Sequence, residues 1–301
     1  MPSSRGAIRL FRVAGIQVFL HWSWFLVAAY EISERTGRYR SPGWNVAEYL
    51  ALFAIVTLHE FGHSLACRQV GGRADTIVLW PLGGVAYVDP PQRPGAMLWS
   101  LAAGPLVNVA LFVVLLPWMT GGSQGPAAPA SDVAAFAGAV ASINLVLLVF
   151  NLLPVYPLDG GQILRSLLWF VLGRAWSLTV ASILGLVGVL GLLAIALRVG
   201  DTWLMIIAAF VALNCWRGFQ HARALARLAR LPRRAGLSCP SCRTSPPVGA
   251  FWGCGRCGTR FDTFETGAAC PACGATFAET RCVDCGRASP IGEWLKPRAI
   301  G

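Results

Sequence analysis

Long apolar runs, separated by short polar or arginine-bearing stretches, dominate the first 219 residues. A helix needs about 20 apolar residues to cross about 30 Å of hydrocarbon. Six stretches approach that length: Ile16 to Ile32, Val46 to Ala66, Leu98 to Met119, Val133 to Leu172, Trp176 to Leu197 and Thr202 to Phe219. The fourth is interrupted, because Asn-Leu-Leu-Pro-Val-Tyr-Pro-Leu-Asp-Gly-Gly intervenes after Phe150 before the run resumes at Gln162. Two prolines and two glycines cannot continue a regular helix. Backbone that unwinds at membrane depth is tolerated only where it is buried in protein or lines a wet cavity, so the break marks a place for a site. Between the second and third runs, Ala74 to Asp89 holds Pro81, Gly83 and Gly84 among β-branched residues. It is too short to span and reads as a hairpin or re-entrant loop.

Composition agrees with this pattern. Hydrophobic residues make up 55% of the 301 and charged residues 13%, against roughly 25% charged in soluble domains. The fold class expected is an all-α polytopic membrane protein of six transmembrane spans, with a broken fourth span and a short membrane-associated β hairpin. The net charge of +11 rests on arginine and is uneven. One face collects Arg5, Arg9, Arg12, Arg68, Arg73, Arg93, Arg174, Arg217, Arg223, Arg227 and Arg230, whereas the other has Arg35, Arg38, Arg40 and Arg198. Lys and Arg favour the cytoplasmic side, so a multi-pass protein of the cell membrane with both termini cytoplasmic is expected, and its basic face suits anionic lipid headgroups. Arg5, Arg9 and Arg12 before an apolar run also fit a secretory signal cleaved near Ala29. His21, Trp22 and Trp24 interrupt that run and further spans follow, so a retained first helix is the expectation. After the sixth run, leucines at 225, 228 and 231 share one helical face, which fits either a solvated helix extension or a membrane-surface helix.

The chemistry concentrates in His59-Glu60-Phe61-Gly62-His63, inside the second span. Residues four apart share a helical face, so both imidazoles can meet one metal while Glu60 reaches a water beside it. Three ionisable side chains at that depth are expensive and mark a functional site facing the bundle interior. Catalytic zinc takes three protein ligands and leaves a fourth position open. Asp159, beside Gly160 and Gly161 in the broken span, is the acidic residue at comparable depth and the candidate third ligand; as an N-cap it would also suit a helix restarting there.

His59-Glu-Phe-Gly-His63 together with Asn151-Leu-Leu-Pro-Val-Tyr-Pro-Leu-Asp-Gly160 resembles the paired motifs of the site-2 proteases, over about Ile16 to Phe219. The resemblance implies His59, His63 and Asp159 as ligands of one catalytic zinc and Glu60 as catalytic base. Gly104-Pro-Leu-Val-Asn108 is similar to a family motif whose Asn lies near the active site, and the segment around Pro81 to Gly84 to a membrane-embedded β element that presents substrate as a strand. For Asn108, oxyanion or substrate contact stands beside a helix–helix hydrogen bond. For Asn151, substrate contact stands beside satisfaction of backbone freed near Pro154. The activity implied is intramembrane zinc endopeptidase, and the substrate a single-span regulatory protein such as an anti-sigma factor or tethered transcription factor. His21 is not expected to be a ligand.

Eight of the ten cysteines form four Cys-x-x-Cys pairs between Cys239 and Cys285. In a reducing compartment such pairs bind metal rather than form disulfides. Cys239, Cys242, Cys254 and Cys257 are expected to make one tetrahedral zinc site, and Cys270, Cys273, Cys282 and Cys285 a second. The segment resembles a double zinc ribbon. The chain is thus divided into a transmembrane metalloprotease domain (1–219), a basic helical linker (220–236) and a cytoplasmic zinc-ribbon domain (237–301). The tail is expected to bind protein, as a regulatory or substrate-docking module. Asp262, Glu265, Glu279 and Asp284 dilute the basic charge that nucleic-acid binding needs. A non-enzymatic zinc-binding scaffold has no need of Glu60, and a zinc transporter calls for carboxylates and histidines strung along the spans, where one compact cluster stands instead.

Overall fold

The computed structural model describes residues 6–26, 28, 39–80, 83–120 and 131–295. The chain opens with strands β1 (Ala7–Val13) and β2 (Ile16–His21), joined by a tight turn in which Ala14 and Gly15 both take positive φ. Helix α1 (Gly43–Gln69) then leads to β3 (Arg73–Trp80) and β4 (Gly83–Asp89). The sheet order is β1-β2-β3-β4, with β2 and β3 parallel and the outer pairs antiparallel. Helix α1 is therefore the crossover of a β-α-β unit, and it packs on the sheet through a core of Ile16, Val18, Trp24, Val56, Ile77 and Leu79.

This corrects the first expected span. Ile16 to His21 is a strand, because Ile16 and Val18 alternate with outward residues on a half-buried surface, the period-two pattern of a sheet. The rest of that span from Ala29 onward lies outside the described residues, as do Pro81 and Leu82 of the expected hairpin, whose two arms are β3 and β4.

Helix α2 (Pro94–Thr120) carries Pro105 and Pro117 inside it, and α3 (Asp132–Leu152) starts at the Ser131 cap, whose hydroxyl accepts from the Ala134 amide. Helix α4 (Asp159–Val199) has 41 residues and α5 (Thr202–Ala229) has 28. Four helices are long and apolar enough to cross a bilayer, namely α1, α2, α3 and α4. The expected fourth and fifth spans are rearranged. Helix α3 ends at Leu152, and α4 begins at Asp159 and runs through both the resumed half of the fourth run and the whole fifth. A straight helix of that length would extend about 60 Å, twice the hydrocarbon thickness. Gly173, at φ 76° and ψ 172°, bends it; the bend, rather than a loop, separates its two halves. Helix α5 packs on α4 through Val189, Ala208, Val211 and Cys215 and, further along, Leu178, Ala222 and Leu225.

Beyond Pro232 the chain forms two two-stranded ribbons, β5 (Trp252–Gly253) with β6 (Arg260–Phe261) and β7 (Thr280–Arg281) with β8 (Ala288–Ser289), then a 3-10 turn (Ile291–Leu295). Trp294 is fully enclosed and meets Phe264 edge-on, as Phe264 meets Trp252.

Candidate metal centres

Helix α1 brings His59, Glu60 and His63 to its buried face, each under 10% exposed, and the first residue of α4 supplies Asp159. His59 Nε2 lies 2.9 Å from Asp159 Oδ2, His63 Nε2 3.3 Å from the same oxygen, and the two Nε2 atoms 3.1 Å apart. The far side of each ring is held by an acceptor: His59 Nδ1 by Asn108 Oδ1 at 2.5 Å, and His63 Nδ1 by the Ser100 carbonyl at 2.8 Å. An acceptor at Nδ1 calls for Nδ1–H, which leaves both Nε2 lone pairs facing Asp159.

The donor set fits zinc. Two imidazoles and one carboxylate are its usual partners in a three-ligand site, and four ligands at about 2.05 Å in a tetrahedron stand about 3.3 Å apart, close to the separations here. The surroundings are shaped to the cluster as well: a Cβ added at Gly104 would sit 2.3 Å from His63 Nε2 and 2.8 Å from His59 Nε2. Glu60 is held on the opposite side by the sheet. Its Oε2 accepts from the Ala86 amide of β4 at 2.9 Å, and a side chain at Gly84 would overlap its carboxylate.

The break before Asp159 is satisfied internally. Gln162 Nε2 donates to the Pro157 carbonyl at 2.9 Å and the Cys215 thiol to the Tyr156 carbonyl at 2.7 Å. Cβ atoms at Gly160 or Gly161 would overlap the backbone of Leu152 and Val155, so the paired glycines let α4 start hard against the break. Asn108 lies against His59. Asn151, at the end of α3, forms no side-chain hydrogen bond among the described residues. His21 stacks on Trp80 with ring centroids 3.8 Å apart, away from the cluster. Gln162, Cys215, Asn144 and the Ala86 amide escaped the sequence reading. Asn144 and Gln162 carry the visible signal of polar groups inside apolar runs.

In the tail the eight thiols form two groups, but the pairing is nested. Cys239, Cys242, Cys282 and Cys285 converge in one, and Cys254, Cys257, Cys270 and Cys273 in the other; within each, as within His59, His63 and Asp159, the donor atoms lie within 4.8 Å of one another. This overturns the expected quartets of neighbouring pairs. The last pair returns to the first because Trp294 packs on Cys239 and Cys282 and its carbonyl accepts from the Ser238 amide at 3.1 Å. No disulfide joins any of them.

The tail rests on the end of the helical region. Arg233 grips the Asp284 carboxylate at 2.6 and 3.0 Å, which holds its guanidinium above its ordinary pKa. Arg174, next to the α4 bend, donates to the Asp284 carbonyl. Arg234 bonds Asp262 at 2.6 Å and Glu265 at 2.8 Å.

The sequence model of peptidase family M50 matches residues 47–121 and 119–195. A putative zinc metalloprotease of Synechocystis is 32% identical over 235 residues, 72% of this chain and 60% of its own length. A zinc metalloprotease of Methanocaldococcus jannaschii is 32% identical over 210 residues, 68% of this chain and 58% of its own. The chain thus spans about three fifths of the length of these curated relatives. The solved structure of a site-2 protease from Methanocaldococcus jannaschii is similar at a TM-score of 0.51 and 30% identity, covering 71% of this chain and 95% of that one.

Proposed function

The chain belongs to peptidase family M50, the site-2 proteases, and on that premise we propose that it is an intramembrane zinc endopeptidase acting on a membrane-bound regulatory protein. The observation that carries the reading is the convergence of His59, His63 and Asp159, from two membrane-capable helices, with Glu60 one residue along. His59, His63 and Asp159 hold the metal. Zinc supplies Lewis acidity there, polarising the scissile carbonyl and acidifying water. Glu60, oriented through Oε2 by Ala86, accepts the proton of the attacking water and returns it to the nitrogen of the leaving amine as the C–N bond breaks. Strand β4 is an edge of its sheet and lies directly over Glu60. An unwound substrate segment pairing with that edge would bring its amides to the catalytic carboxylate in extended form.

The substrate class is a single-span regulatory protein, of anti-sigma-factor or tethered-transcription-factor type, cut in or beside its membrane segment once that segment unwinds. One zinc serves catalysis and two serve structure in the tail. The domain division at 219 and 236 is retained as a functional one, with α5 extending into the linker. Both termini lie on the cytoplasmic face; in support, Arg68 at the end of α1 bonds the β1–β2 turn carbonyls and Asp75, and Arg174 meets the tail. The tail serves as a protein-binding module that docks substrate or regulates the protease. Its acidic residues Asp262, Glu265 and Asp284 are engaged by the linker arginines.

The test is zinc-dependent cleavage of a panel of single-span substrates by the purified full chain in detergent. Glu60→Gln should abolish cleavage while membrane zinc is retained, and Asp159→Asn should lower both. Equal cleavage by wild type and both variants would assign the activity to a contaminant and sink the proposal.

A further inference from the structure

We infer that Asn144 is a positioning residue of the membrane metal centre, fixing through Asn108 which nitrogen of His59 faces the metal. The two asparagines come from α2 and α3, and each is at most 1% exposed. Asn144 Nδ2 donates to the backbone carbonyl of Asn108 at 2.9 Å, and Asn108 Nδ2 donates to Asn144 Oδ1 at 2.8 Å. Asn108 Oδ1 then faces His59 Nδ1.

Each step of that chain runs one way. A backbone carbonyl only accepts, so the amide end of Asn144 must face it, and Asn144 Oδ1 is turned to Asn108. The amide end of Asn108 must meet that oxygen, so its own oxygen is turned to His59. An oxygen at Nδ1 keeps the proton there and leaves Nε2 bare. His63 obtains the same result from the Ser100 backbone carbonyl without any relay. A carboxamide can turn end for end at almost no steric cost, and its orientation is set by its partners. With Asn144 gone, nothing stops Asn108 from offering Nδ2 to His59, which would put the proton on Nε2, where it blocks the metal.

The inference rests on the proposed reading only in needing a metal between His59, His63 and Asp159, and zinc content tests it apart from proteolysis. The full chain in detergent is equilibrated in a series of zinc buffers, and bound zinc per chain is measured for wild type, Asn144→Leu, Asn108→Ala and the double variant. His59→Ala defines the membrane step. Asn144→Leu should weaken that step 10- to 100-fold, the usual effect of losing an outer-shell partner, with tail zinc unchanged. In the Asn108→Ala background the same change should add little. An unchanged membrane step in Asn144→Leu overturns the inference. So does a full additive loss in the double variant, which would assign Asn144 to helix packing alone.

Should Asn144→Leu fail to fold, nitrogen-15 spectra of the zinc-loaded wild type decide. Four histidines are present, and the His59 ring must show a proton on Nδ1; a proton on Nε2 overturns the inference. A wild type that holds His59-dependent zinc and cuts no peptide would defeat the proposed function and leave this inference standing.

Discussion

The membrane centre and the cysteine tail both gather metal donors, yet they are built in opposite ways. His59 and Asp159 stand 100 positions apart in sequence and are delivered by helices of 27 and 41 residues. Side chains and backbone hold each ring from behind, and three donors leave one direction open. In the tail, four thiols converge twice on strands of two residues each, around a small aromatic core. The difference concerns which part supports which. In the membrane the fold supports the site, whereas in the tail the metal supports the fold, as expected where a small core leaves little else.

Removing zinc should separate the two most sharply. Structural zinc contributes about 10–16 kcal/mol of apparent folding free energy in small domains, so a strong chelator should unfold residues from about Cys239 to Cys285 and leave the helices intact. Hydrogen–deuterium exchange reads this directly: fast exchange in the tail with slow exchange in α1 to α4 is the expected outcome. Simultaneous melting of both would break the contrast. The nested pairing sharpens it, since Cys282→Ser should expose Cys239 and Cys242 to alkylation while Cys254 and Cys257 stay protected.

Next in size is Glu60→Gln. Loss of a general base lowers rates about 10²- to 10⁴-fold, and Glu60 is not among the converging donors, so membrane zinc should be unaffected. Gly104→Ala reverses that signature. Its Cβ would press on His63 Nε2 at 2.3 Å, so it should weaken membrane zinc tenfold or more with no change in the tail. Zinc titration of the two variants side by side checks both.

The two regions also differ in how legible they were. The histidine pair was visible because helical spacing fixes which side chains share a face, and Asp159 because a Pro- and Gly-rich break inside an apolar run has few purposes. The strand at Ile16 was hidden in a run long enough to pass for a span, although the Ala14-Gly15 turn and the alternation of Ile16 and Val18 were present in the sequence. The bend at Gly173 left no stronger mark than one glycine. The nested quartets were invisible to spacing, because every knuckle looks alike and the choice of partner is made by Trp294 closing back on the first. Asn144 lay in plain view as a polar residue in an apolar span, but its partner 36 positions away required the packing of α3 on α2.

The smallest expected effect lies where the regions meet. Arg233 and Asp284 are each less than a quarter exposed as side chains, and the two-pronged bond between them should contribute about 1–2 kcal/mol to holding the tail in place. Arg233→Ala removes that grip without touching a thiol, so both tail zincs should remain bound. What should change is attachment: protease nicking in the 230–237 segment should rise several-fold, with no loss of His59-dependent zinc. Arg174 reaches the same aspartate from the α4 bend, and Asp159 begins that helix. If Arg233→Ala alters substrate cleavage as well as nicking, the tail acts on the centre through α4; if nicking rises and cleavage holds, the two regions share a chain but work independently.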